Sequence, residues 1–154
     1  RNVNENQNQQ NIKILMLGSG EGGKSTFMRQ LKLIYQNPDI STIEKNYYIQ
    51  LITQNVIRAT QTLITNFQGI SPDIQKVSQQ FMQIDIKSQI SEQLITWLEQ
   101  LLNNASFRQQ ASNSTEIVDN YLFFALKMRK YLTQAATNED ILKCRVKTHI
   151  LQEM

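Results

Sequence analysis

Residues 18–25 read G-S-G-E-G-G-K-S and match G-x-x-x-x-G-K-[ST], a pattern that holds the phosphates of a nucleotide. The glycines let the backbone fold so that several N–H groups point at one phosphate, and a following helix adds the positive end of its dipole. In this pattern Lys24 reaches the β- and γ-phosphates, the Ser25 hydroxyl ligates Mg²⁺, and Thr26 is placed to donate to the α-phosphate. The motif predicts binding of a nucleoside triphosphate but does not specify the base.

The elements around this loop fit its chemistry. Residues 11–18 form a short apolar run that ends in glycine, which predicts a buried strand. After the loop, Phe27, Leu31, Ile34 and Tyr35 recur at helical spacing and predict an amphipathic helix that Pro38 closes. A strand before the loop and a helix after it is the context that a phosphate loop requires.

The rest of the chain has a helical pattern. Ser41 and Glu44 have capping-box spacing and begin a helix of roughly seven turns, which Gly69 ends. Ser71 and Pro72 predict the start of the next helix. Further helices are predicted at about residues 87–102, near Phe107, over 117–131 and, from the cap spacing of Thr137 and Asp140, in a last short turn; residues 145–151 look extended.

These helices can close a core of their own. Its predicted members are large apolar residues on the inward faces: Tyr48, Ile52, Leu63, Leu94, Trp97, Leu98, Leu122 and Leu126. The aromatic pairs Tyr47–Tyr48 and Phe123–Phe124 are interpreted as core residues and not as a platform for stacking bases.

Composition narrows the class of protein. Hydrophobic residues make up 40% and charged residues 19% of the 154 residues, as in ordinary globular domains. The net charge of +3 comes from scattered lysines and arginines, so we expect no nucleic-acid partner. Residues 1–10 are polar and predict a disordered lead-in without a signal peptide, and no run is long enough for a transmembrane segment. The single cysteine, Cys144, excludes an internal disulfide and fits a reducing compartment.

Two stretches resemble one family, the alpha subunits of heterotrimeric G proteins. Residues 13–35 resemble the family's phosphate loop, usually G-A-G-E-S-G-K-S-T, and its basic-apolar helix. Residues 137–148, T-N-E-D-I-L-K-C-R-V-K-T, are similar to T-x-x-D-I-L-x-x-R-V-x-T, the linker and first switch. More than a hundred mostly helical residues separate them, which is the length that the family's inserted helical domain needs.

The resemblance implies a mainly α chain within an α/β P-loop GTPase: the first strand and helix of a Ras-like domain, followed by an inserted all-α helical domain. The implied boundaries are a lead-in at 1–10, the start of the Ras-like domain at 11–37, the helical domain at 38–137, and the linker and first switch at 138–154.

The resemblance also assigns roles to residues. Arg145 matches the built-in arginine finger, which stabilises charge on the γ-phosphoryl oxygens. Thr148 matches the switch threonine that coordinates Mg²⁺ beside Ser25, and Glu21 matches the loop acid that pairs with the arginine in the relaxed switch. The implied nucleotide-binding residues are Glu21, Gly22, Gly23, Lys24, Ser25, Thr26, Leu142, Lys143, Cys144, Arg145, Val146, Lys147 and Thr148.

The implied function is that of a GTPase with GTP/GDP and Mg²⁺ as ligands. It acts in G-protein-coupled receptor signalling at the inner face of the plasma membrane, with G-protein beta/gamma subunits, a G-protein-coupled receptor and an effector enzyme as partners. The family's D-x-x-G, N-K-x-D and T-C-A-T motifs do not occur in the 154 residues. Gly22 stands where the family usually has serine, and His149 stands where the family has the glycine that follows the switch threonine. We therefore expect a fragment that is inactive alone.

Two other functions fit parts of the sequence. A non-catalytic helical-bundle interaction module with a vestigial phosphate loop would need only the helices. A kinase or ATPase could use the same loop, although such enzymes do not need R-V-K-T at this distance. The subclass of alpha subunit, its receptor and its effector cannot be inferred from the sequence.

Overall fold

A computed structural model describes residues 15–18, 23–35, 42–67, 71–117 and 120–144. These residues form seven α-helices and one 3₁₀ helix. In chain order the α-helices are α1 (Lys24–Tyr35), α2 (Thr42–Asn66), α3 (Pro72–Met82), α4 (Glu92–Asn103), α5 (Ala105–Asn113), α6 (Tyr121–Ala125) and α7 (Asn138–Lys143), and the 3₁₀ helix is Met128–Leu132, between α6 and α7.

Local signals explain where α3, α4 and α5 begin. The Ser91 hydroxyl accepts the N–H of Leu94 at the start of α4, and the Asn104 side chain accepts the N–H of Phe107 at the start of α5. α3 begins at Pro72, where a missing N–H costs nothing. Its predicted cap residue, Ser71, has the extended backbone of an N-cap but makes no side-chain capping bond.

The core forms around α2, which contacts α3, α5 and α6, while α4 packs against α3, α5 and the 3₁₀ helix. Its largest fully buried side chains come from α2 to α7 and the 3₁₀ helix: Ile52, Val56, Ile57, Leu63, Phe81, Ile95, Leu98, Leu101, Phe107, Tyr121, Met128 and Ile141. Within this core the Thr60 and Tyr121 hydroxyls lie 2.9 Å apart and share a hydrogen bond. The predicted core among these helices is therefore confirmed, and Cys144 after α7 also packs into it.

The predicted buried strand is wrong where the structure describes it. Leu15 and Leu17 are 82% and 85% exposed, and residues 15–18 have no regular secondary structure. A strand is stabilised by hydrogen bonds to a neighbouring strand, and no strand occurs among the described residues. Residues 11–14 lie outside the described part of the chain.

The helix predicted over 117–131 is confirmed only in part, because the structure has the short helix α6 and a 3₁₀ helix in its place. The Ser114 hydroxyl accepts the N–H of Glu116, a local bond that competes with helix, and α6 begins only at Tyr121. After Ala125 the backbone hydrogen bonds span three residues instead of four. The N–H of Lys127 donates to the carbonyl of Phe124, and the N–H of Lys130 donates to the carbonyl of Lys127. Short i−3 bonds of this kind define the 3₁₀ helix.

Smaller differences have similar causes. The helix expected from residue 87 begins at Glu92, since the Asp85 carboxylate and carbonyl accept the N–H groups of Lys87 and Ser88 and hold a turn. Leu126 is 55% exposed and is not a core residue, and Tyr47 is also exposed. Tyr48, Trp97, Leu122 and Phe123 are partly buried and pack against the core. No helix in the described ranges is both long and apolar enough to cross a membrane.

Candidate functional site

Two glycines of the phosphate loop, Gly18 and Gly23, lie among the described residues. The Lys24 ammonium folds back and donates to the Gly18 carbonyl. A Cβ at Gly18 would lie 3.3 Å from Lys24 Nζ, so glycine keeps this approach open. Gly23 has φ +72°, a left-handed conformation that glycine adopts without strain. Gly23 therefore uses the backbone freedom of glycine, and Gly18 lies in contact with the Lys24 ammonium.

The first turn of α1 carries the other loop residues. Lys24, Ser25 and Thr26 are half-buried and follow Gly23, whose carbonyl accepts the N–H of Phe27. A helix N-terminus directs N–H groups and the positive end of the helix dipole outward, the environment that a phosphate oxygen needs. The geometry of this turn therefore fits the predicted phosphate contacts.

The second candidate segment is α7 with Cys144, the residue that follows it. The Thr137 hydroxyl accepts the N–H of Asp140 and the Asp140 carboxylate accepts the N–H of Thr137, which completes the predicted capping box. Asp140 is also 2.7 Å from the Lys127 ammonium. α7 is thus fixed at its N-terminal end to the segment that follows α6.

Arg29 joins the two segments. Its Nε donates to the Ser25 carbonyl at 3.2 Å, within α1. Its Nη1 donates to carbonyl oxygens at the C-terminal end of α7: those of Ile141 at 2.7 Å, Leu142 at 3.4 Å and Cys144. The last carbonyls of a helix have no intrahelical donors, so the guanidinium satisfies groups that would otherwise need water. One side chain therefore connects the predicted Mg²⁺ ligand with the end of α7.

Burial and charge at this junction are consistent with the contacts. The Cys144 thiol is 1% exposed, and burial raises its pKa to about 11 although the nearby Arg29 charge lowers it. Burial also raises the pKa of Tyr48 on α2, again against the charge of Arg29. The half-buried guanidinium thus lies between α1 and the end of α7, and its charge acts on both Cys144 and Tyr48.

The structure brings together two of the predicted groups of site residues, Lys24 to Thr26 and Leu142 to Cys144. Leu142 is half-buried, and Lys143 is exposed, paired with Glu139 at 2.7 Å. The other predicted site residues lie outside the described residues: Glu21, Gly22, Arg145, Val146, Lys147 and Thr148.

Arg29 is not among the residues that the motifs predicted for the site. The available signal was its position, four residues after Ser25, which places both residues on one face of α1. Nothing local indicates that its partners are 112 to 115 residues away.

No cluster of three or more potential metal-ligating His, Cys, Asp or Glu residues occurs in the described part of the chain. Magnesium bound together with a nucleotide uses one or two protein oxygens, several waters and the substrate phosphates. The Ser25 hydroxyl, on the first turn of α1, is an oxygen donor of this kind.

Comparison with protein families identifies the class. The model of the family "G-protein alpha subunit" matches residues 1–154. The chain belongs to this family.

Individual relatives agree with this assignment. The guanine nucleotide-binding protein alpha-1 subunit of Schizosaccharomyces pombe is 22% identical over 92% of the chain and 37% of its own length. The alpha-4 subunit of Caenorhabditis briggsae is 28% identical over 89% and 42%. The alpha subunit of Cryptococcus neoformans is 29% identical over 92% and 35%. The chain thus spans about two fifths or less of these relatives' length.

Proposed function

We propose that this chain supplies the phosphate loop, helical domain and first switch of a guanine-nucleotide-binding alpha subunit, a GTP-hydrolysing switch in G-protein-coupled receptor signalling. The observation that carries the proposal is the Arg29 contact. It holds Cys144, the residue before Arg145, against the helix that carries Lys24 and Ser25. A finger arginine has to approach the same phosphates that the loop holds.

The roles follow from the chemistry of each side chain. Lys24 neutralises charge on the β- and γ-phosphates, and Thr26 donates to the α-phosphate. Ser25 and Thr148 provide hydroxyl ligands for Mg²⁺, which when bound neutralises phosphate charge. Arg145 stabilises the charge that develops on the γ-phosphoryl oxygens during hydrolysis.

The remaining site residues bind and orient the nucleotide. The backbone of Gly22 and Gly23 forms part of the anion nest, and residues 142–148 line the nucleotide. Glu21 pairs with Arg145 when the γ-phosphate is absent. We place the Ras-like part at 11–37 and 138–154 and the helical domain at 38–137.

The partners of the whole protein belong to the same proposal. They are G-protein beta/gamma subunits, a G-protein-coupled receptor and an effector enzyme, met at the cytoplasmic face of the plasma membrane. The relatives' names support only guanine-nucleotide binding and alpha-subunit identity.

The proposal is tested on the transcript and on the polypeptide that it encodes. We expect an in-frame D-x-x-G and a downstream N-K-x-D after the codon for Met154. Calorimetry with GTP and ATP, with and without Mg²⁺, should then show tight, GTP-selective binding by that polypeptide. The 154-residue chain should show neither tight nor guanine-selective binding, because it has no base-reading motif. Absence of both motifs and of GTP binding by the encoded polypeptide would refute the proposal.

One observation favours a second function, a non-catalytic helical-bundle interaction module. The buried core of α2 to α6 and the 3₁₀ helix includes none of the phosphate-loop residues that the structure describes, Gly18 and residues 23–25. Such a module would keep its fold and bind a protein partner without any nucleotide. The calorimetry above distinguishes the two functions, since the module would bind neither GTP nor ATP in any form.

A further inference from the structure

The Arg29 guanidinium donates hydrogen bonds to two different helices. Its Nε donates to the Ser25 carbonyl in α1, and its Nη1 donates to three carbonyl oxygens at the end of α7. Arginine can do this because its N–H donors have fixed directions on a rigid plane. A lysine ammonium would have the charge but not this arrangement.

The contact is favourable electrostatically as well as geometrically. Carbonyls at a helix C-terminus carry partial negative charge, and a cation there stabilises the helix. Cys144 is buried and Arg29 is half-buried, so water screens the interaction less than at an exposed site. α7 has only six residues, so a contact at its end fixes the whole element.

We propose that Arg29 is a positioning residue that sets where the chain leaves α7 relative to the phosphate loop, and so where Arg145 begins. Consecutive Cα atoms are about 3.8 Å apart, so a fixed Cys144 confines the start of Arg145. The consequence for hydrolysis rests on the proposed function, whereas the positioning of Cys144 does not. Loss of Arg29 should therefore lower the hydrolysis rate more than it lowers nucleotide affinity.

The chain contains two unique reporters for the test. Cys144 is its only cysteine and lies at the contact, and Trp97 is its only tryptophan and lies on α4. The rate of Cys144 alkylation measures opening of the junction, and Trp97 emission with circular dichroism measures integrity of the bundle. The variants are Arg29→Ala and Arg29→Lys, with Arg58→Ala as the control because Arg58 is an exposed arginine on α2.

We expect Arg29→Ala to accelerate alkylation of Cys144 by about tenfold or more, with unchanged Trp97 emission, because several hydrogen bonds to charge are lost. Arg29→Lys should give an intermediate rate, millimolar guanidinium should restore protection to Arg29→Ala, and Arg58→Ala should behave as wild type. Wild-type alkylation rates in Arg29→Ala, or equal acceleration by Arg58→Ala, would overturn the proposal. If Arg29→Ala does not fold, Arg29→Lys provides the test. A wild-type rate of Cys144 alkylation in Arg29→Lys would overturn the proposal that the guanidinium must bond to both α1 and the end of α7.

The second measurement uses the encoded polypeptide of the previous section. Arg29→Ala should lower the single-turnover rate of GTP hydrolysis while GTP affinity changes little, and Arg29→Lys should recover part of the rate. A rate equal to wild type would show that Arg29 does not position the switch. Wild-type protein that does not hydrolyse GTP at all would instead refute the proposed function, while the alkylation result would still decide the position of Cys144.

Discussion

Lys127, the residue before the 3₁₀ helix, forms an ion pair with Asp140 in the first turn of α7. The ammonium is 2.7 Å from a carboxylate oxygen, and the Asp140 side chain is 1% exposed. Burial alone would raise the pKa of Asp140, but hydrogen bonds from Lys127 and Thr137 outweigh it and hold the pKa below its ordinary value of 3.8. The pair and the capping box therefore stabilise α7 with a charged carboxylate.

Asp140→Asn should reduce the free energy of unfolding by about 2 kcal/mol at neutral pH, since a charged cap and an ion pair are lost. A carboxyl with a lowered pKa in the folded state stabilises above its unfolded pKa, and that contribution is lost as pH falls through the folded value. Wild type should therefore lose stability below about pH 4, and the variant should lose less. Urea denaturation at several pH values tests this, with Glu139→Gln, an exposed neighbour, as the control; equal acid sensitivity in wild type and Asp140→Asn would contradict the assignment.

Tyr121→Phe should cost about 1–2 kcal/mol, because the Thr60 hydroxyl loses its buried partner. Removing both hydroxyls, in Tyr121→Phe with Thr60→Val, should cost less than the sum of the single changes. Denaturant titrations of the four proteins give the coupling free energy. A coupling of zero would show that the bond adds nothing.

Leu98→Ala should destabilise the fold by about 3 kcal/mol, since Leu98 is fully buried and its removal leaves a cavity. Leu126→Ala, the same change at an exposed site, should stay within about 0.5 kcal/mol. Thermal and urea unfolding followed by circular dichroism compare the two. Similar losses from both would mean that Leu126 is buried.

Sequence predicted the features of this fold that depend on neighbouring residues. Pro72 starts α3, and the spacing of Thr137 and Asp140 specified the capping box, because these signals act within one turn of helix. Packing and competing local bonds decided the rest: the Ser114 turn delays α6, and Leu126 is outside the core despite its apolar side chain. Of the candidate site, the capping box of α7 was predictable, whereas the Arg29 contact depends on a long-range approach that no local pattern encodes.

Ser25→Asn should weaken Mg²⁺-dependent GTP binding by the encoded polypeptide, because a bulkier amide is a poorer ligand than a hydroxyl in a tight octahedral site. Affinity without Mg²⁺ should change little. Magnesium titrations of GTP affinity for both proteins provide the measurement. Superimposable titrations would remove Ser25 from the metal site.

Arg145→Cys should slow GTP hydrolysis by the same polypeptide by about 10³-fold or more and leave nucleotide affinity largely intact, because the finger acts chiefly on transition-state charge. Single-turnover hydrolysis and calorimetry separate the two effects. The exposed Arg108→Cys is the matched control. Unchanged hydrolysis in Arg145→Cys would exclude it as the finger.

The contact between Arg29 and Ile141 closes a loop, since the two residues are 112 positions apart. In a flexible chain, closing a loop of that length costs roughly 4–5 kcal/mol of conformational entropy. The folded bundle removes most of that cost, because it fixes the distance between its own two ends. A cavity in the bundle, as in Leu98→Ala, should therefore increase the exposure of Cys144 although every residue around Arg29 is unchanged.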